Sequence, residues 1–122
     1  MPRNSVLQEK SYSLSLLIVR ICKFLREKRK HSVLYNQFLR SGTAVGALIC
    51  EAEFAQSKAD FINKMSIALK EANETNYWLN ILKDSGDIDN DAFKQASQLS
   101  GEVIRMLVSS IKTAKGITAA NH

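Results

Sequence analysis

The chain has 122 residues, 45% of them hydrophobic and 24% charged, with 17 Lys or Arg against 12 Asp or Glu for a formal net charge of +5. That length supports one domain, residues 1–122, whose core needs no disulfide or metal to hold it, and a single Pro among residues rich in Leu, Ile, Ala, Lys and Glu points away from sheet and towards an all-α fold. The longest apolar block, residues 16–19, stops at Arg20, far short of the ~18 residues that a membrane span requires. The opening turns also lack the long apolar region and small-residue cleavage site of a secretory signal, so the expected location is the cytoplasm and no membrane partner is expected.

Helix one is predicted over about residues 5–30. Leu7, Leu14, Leu17, Ile18, Ile21 and Leu25 form its apolar stripe, widened by Leu16, Val19 and Cys22. The charge is concentrated here: residues 1–40 hold nine Lys or Arg against two acids. Lys23, Arg26, Lys28, Arg29 and Lys30, with Arg20 one turn earlier, make a basic helix end. Part of that cluster offsets the negative end of the helix dipole. Five cations against one acid between Lys23 and Lys30 exceed what capping asks for, and the excess suggests a surface for anions. The helix offers few exposed aromatics, which argues against recognition of single strands through stacked bases.

At His31 and Ser32 the apolar period restarts, with Ser32 as a possible N-cap. Helix two is predicted over about residues 33–55, its apolar face formed by Leu34, Phe38, Val45, Leu48, Ile49 and Ala52. Gly42 and Gly46 lie inside it, each costing about 1 kcal/mol relative to Ala. Two accounts fit: close approach of a neighbouring backbone over Gly42, Gly46 and Cys50, or a kink at residues 41–43.

Helix three is predicted over about residues 58–84, capped by Ser57 with Asp60 at its third position and ended by Gly86. Phe61, Met65, Ala68, Ala72, Thr75, Leu79 and Leu82 alternate steps of four and three, the heptad seam of a packed helix. A second row, Ile67, Glu71, Glu74, Trp78 and Ile81, follows the same stepping about a quarter-turn away. It is either the flank of the bundle core or a surface for another subunit. A carboxylate buried there needs a cation, for which Arg40, Arg20 and Arg105 are the candidates. Helix four, over about residues 90–115, starts at Asp89 between the staple residues Ile88 and Phe93. Its inner face is Phe93, Ala96, Leu99 or Ser100, Val103, Leu107 and Ile111, and Gly116 terminates it.

Four helices joined by turns too short for crossovers give an up-down-up-down antiparallel four-helix bundle. Cys22 and Cys50 read as reduced core or near-core residues rather than a disulfide. A di-iron bundle site would need Glu-x-x-His on two helices, and no Glu here has a His three residues on. His31 and His122, the two histidines, support neither a catalytic triad nor a zinc site. Gly42 and Gly46 lack the Lys and hydroxyl of a phosphate loop. No enzyme activity, cofactor or metal is expected.

The segments LRSGTAVGALICEAE (residues 39–53), SKADFINKMSIALKEANETNYWLNIL (57–82) and SSIKTAK (109–115) closely resemble the small four-helix-bundle proteins encoded in intervening sequences of bacterial 23S ribosomal RNA genes. The resemblance covers essentially the whole chain. It implies a homopentamer, and a distant relation to accessory variability proteins of retroelements, basic pentamers that bind nucleic acid and a reverse transcriptase. Leu48 departs from the family pattern, in which Asn is usual nearby, and makes that patch more apolar. Two functions follow as expectations: an oligomer that holds RNA or DNA phosphates through Arg20, Lys23, Arg26, Lys28, Arg29 and Lys30, or a protein-interaction scaffold for a nucleic-acid-processing enzyme. In either case Arg40, Ile67, Glu71, Glu74, Trp78 and Ile81 are the expected oligomer interface or buried ion pair. A pentamer would carry a charge of roughly +25, and its binding would weaken steeply with salt.

Overall fold

The computed structural model describes residues 5–28 and 32–116, which form four α-helices: α1 (Ser5–Lys28), α2 (Ser32–Glu53), α3 (Lys58–Asp84) and α4 (Asn90–Ala114). Among the described residues, α1 and α3 each pack on α2 and α4, with no helix pair in contact across the diagonal. Short connections make ring neighbours antiparallel, so the molecule is the expected all-α bundle with one central core. Arg29, Lys30 and His31 lie outside the described residues. Ser32, a possible N-cap from sequence, is instead the first residue of α2.

The best-defined ends belong to α3. Ser57 Oγ accepts the Asp60 amide at 3.1 Å, and Asp60 Oδ2 reaches back to the Gln56 amide at 3.2 Å, a reciprocal pair that satisfies two otherwise orphaned donors. At the other end Gly86, with φ +80°, turns the chain left-handed. That lets the Gly86 amide reach the Lys83 carbonyl at 3.0 Å and the Asp87 amide the Leu82 carbonyl at 2.9 Å. The exit places Ile88 in the core and Asp89 at the head of α4, where Asp89 Oδ1 accepts the Ala92 amide at 2.8 Å.

Six of the seven seam residues of α3 are buried, Met65 through Leu82, and Phe61 is partly covered. From α4 the choice between Leu99 and Ser100 falls to Ser100, whose hydroxyl donates to Asn76 Oδ1 at 2.7 Å. A second polar contact ties α2 to α3: the buried Thr75 hydroxyl donates to the Glu71 carbonyl at 2.8 Å and lies 3.1 Å from Ser41 Oγ. Tyr35 is fully buried and donates to Asp87 Oδ2 at 2.9 Å.

The two glycines of α2 mark its contact with α1. A Cβ on Gly42 would overlap the Cδ1 of Ile18, and one on Gly46 would sit 3.2 Å from Ser15 Oγ and 3.4 Å from the Ser11 carbonyl oxygen. α2 passes residues 41–43 without a break, and the close approach of α1 accounts for both glycines. Cys50 does not share that patch. Each step of four residues advances about 40° beyond a full turn, so two steps carry Cys50 about 80° away from Gly42 and onto the surface, which corrects the near-core expectation. Cys22 is buried as expected, its thiol pushed up to about 11 chiefly by desolvation. Among the described residues no helix is long and apolar enough to cross a membrane.

Candidate functional site

Arg20, Lys23, Arg26 and Lys28 are all exposed on the last turns of α1. Arg29 and Lys30, the remaining members of the predicted basic set, lie outside the described residues. The Arg26 guanidinium donates to Asn36 Oδ1 on α2, which ties the helix ends together without neutralising the charge. Among the described residues, no carboxylate is in ion-pair range of these four cations, whereas Lys10, Arg40 and Lys64 meet Glu102, Glu71 with Glu74, and Glu51. The acidic α3–α4 turn occupies the same end of the bundle, where Asp87 accepts the Tyr35 hydroxyl and Asp89 accepts the Ala92 amide.

Exposed aromatics on α1 are more prominent than the sequence suggested. Tyr12 and Phe24 both face solvent, Phe24 with 47% of its surface exposed. Phe24 follows Ile21 by three residues and Leu17 by seven, so it lies at the edge of the stripe, where the start of α4 covers it only in part. Its ring carries the Lys28 ammonium 4.7 Å from the centroid.

The second row of α3 forms a different kind of surface. Arg40 reaches from α2 and, of the three candidate arginines, is the one that meets both carboxylates: Nη1 donates to Glu71 Oε1 and Oε2 at 3.1 and 3.3 Å, and Nη2 to Glu74 Oε2 at 2.5 Å. Trp78 Nε1 donates to the same Glu74 oxygen at 2.9 Å, one helical turn along. The Trp78 bond first, and Arg40 after it, hold the Glu74 carboxyl below its usual range, while the Glu74 bond holds the Arg40 guanidinium above its own. Within one chain this is a half-open network, with side-chain exposures of 47% for Arg40, 17% for Glu71 and 33% for Glu74. Ile67 and Ile81 flank it and remain 36% and 37% exposed.

Residues 3–109 match the family described as 23S rRNA-intervening sequence protein. The chain belongs to that family. It is also similar to a solved Bacteroides thetaiotaomicron protein of unknown function from the S23 ribosomal protein family, with 47% identity over 87% of this chain and 98% of that one and a TM-score of 0.85. No curated protein matches it.

In this intervening sequence protein a cleft of about 840 Å³ lies at the end of the bundle away from the basic cluster. Hydroxyls of Ser57, Ser109, Ser110 and Thr113 line it with Glu53 and Lys58, and no His or Cys stands among the lining residues to activate one of them. Among the described residues there is no group of three His, Cys, Asp or Glu that could hold a metal ion. Sequence reasoning missed the Trp78 to Glu74 bond and the exposure of Phe24. The first had a visible signal in the i, i+4 spacing; the second depends on how α4 is rotated against α1.

Proposed function

We propose that this protein is a non-enzymatic, self-associating bundle that binds RNA or DNA in the cytoplasm through the phosphate backbone. The carrying observation is the set of four exposed cations, Arg20, Lys23, Arg26 and Lys28, none of them in range of a described carboxylate. Unneutralised cations along a helix attract a polyanion and release its counterions, which gives affinity without sequence reading. Self-association rests on the second row of α3, where the half-exposed Ile67 and Ile81 border the Arg40 network. A homopentamer, as the resemblance of the sequence implies, repeats the basic end five times and raises avidity for one long strand.

Filter binding of structured RNA and of duplex DNA at low and high salt tests this reading. Retention at low salt and loss at high salt are expected. The triple variant Lys23→Glu, Arg26→Glu, Lys28→Glu should keep its helicity, lose retention and flatten the salt slope by about one unit for each phosphate contact removed. Absence of retention by the native protein at low salt contradicts the reading and leaves a protein-docking scaffold for a nucleic-acid-processing enzyme as the role of the bundle.

A further inference from the structure

Beside the basic cluster, α1 and the head of α4 enclose a shallow cleft of about 270 Å³ lined by Arg20, Ile21, Phe24, Ile88, Asp89 and Ala92. Its walls are chiefly apolar, yet Arg20 lines it and the exposed cations of the α1 end lie nearby in the chain. A core side chain left uncovered by chance would not explain that placement. Phe24 lies between Lys23 and Arg26 in the chain, with the Lys28 ammonium resting near its ring.

We infer that this cleft takes one unpaired nucleobase, stacked on Phe24, while Lys23 and Lys28 hold the adjoining phosphates. The inference rests on the phosphate-binding reading above and adds to it a preference for single-stranded nucleic acid. Size limits the occupant: the volume lies just under the ~300 Å³ typical of the smallest drug-sized sites, which suits a single planar ring system. Charge places the parts of the nucleotide. The Asp89 carboxylate at the cleft edge repels a phosphate, so the apolar slot is left to the base and the phosphates lie towards the lysines. Aromatic faces accept any base, so the slot adds affinity with little sequence preference. The cation now resting near the Phe24 ring is a flexible lysine, free to swing to a phosphate as the base arrives. A duplex, whose bases are stacked on one another, presents nothing that enters the slot.

Fluorescence anisotropy at low salt tests this with three labelled probes of equal length: a single-stranded oligonucleotide, an abasic single strand and a duplex. The native protein should bind the single strand about tenfold more tightly than the abasic strand. Phe24→Ala should lose that advantage while binding the abasic strand and the duplex as before, and Phe24→Trp should restore it. Phe24 is nearly half exposed, so circular dichroism of Phe24→Ala should match the native protein. Equal affinity of the native protein for the single strand and the abasic strand, or an unchanged Phe24→Ala, overturns the slot and leaves phosphate binding standing. Failure of all three probes to bind overturns both.

Discussion

Two rows of side chains run along α3 with the same alternation of three and four, and they end in different surroundings. Met65, Ala68, Ala72, Thr75, Leu79 and Leu82 are buried in the bundle core. Ile67 and Ile81 keep more than a third of their surface in water, on either side of Arg40, Glu71, Glu74 and Trp78. The lesson is that periodicity marks which rows are shaped for packing, while the number of neighbouring helices decides which row one chain can cover. In a ring of four, α3 touches only α2 and α4. Its outward flank therefore needs an additional partner or stays wet, and the account assigns that flank to another copy of the chain.

The largest effect should come from the covered row. Leu79→Ala removes a side chain that is 1% exposed, and the lost transfer energy plus the cavity should cost about 2 to 5 kcal/mol in urea denaturation. Ile81→Ala, three-eighths exposed at the start, should cost under about 1.5 kcal/mol in the isolated subunit while lowering the molecular mass in solution. Equal losses for the two variants would erase the distinction between the rows.

Arg40→Ala sharpens the comparison further. As a half-exposed pair on a lone bundle, its ion pairs are worth about 0 to 1 kcal/mol. Covered by a second subunit, removal of Arg40 leaves Glu71 and Glu74 facing a drier surface without a cation, and about 3 kcal/mol should be lost from the assembly. Comparison of unfolding at low protein concentration with dissociation measured by analytical ultracentrifugation separates the two contributions.

The smallest effect is the acid dependence of Glu74. Its carboxyl is held low in the folded chain, first by Trp78 and then by Arg40. A depressed folded-state value stabilises the protein above the ordinary carboxylate range near pH 4, and the contribution fades as the pH falls through the lower folded value. Trp78→Phe removes the principal donor, so the loss of melting temperature on acidification should be smaller in that variant and should be complete at higher pH. Identical acid limbs would show that the indole bond does not tune Glu74.

The helices and the α3 seam were legible because they depend on spacing alone: the heptad steps name the buried residues, and Ser57, Gly86 and Asp89 punctuate the ends. Register and rotation were not legible. The partner of Glu71 and Glu74 stayed open among three arginines because the alignment of α2 along α3 settles it. Cys50 was placed too near the core because steps of four drift around a 3.6-residue helix. Tyr35 went unread since its buried hydroxyl depends on Asp87, 52 positions away in the turn after α3. Phe24 was overlooked for a related reason, since only the angle between α1 and α4 shows that its ring is half uncovered.

Multi-angle light scattering of the native protein beside a Trp78→Glu, Ile81→Glu variant tests the claim about the outward flank most directly. The account predicts a mass several times the 13.7 kDa subunit, five times for a pentamer, with collapse to the subunit mass in the variant and helicity retained. A native protein that elutes at 13.7 kDa, or a variant that keeps the assembled mass, would contradict it.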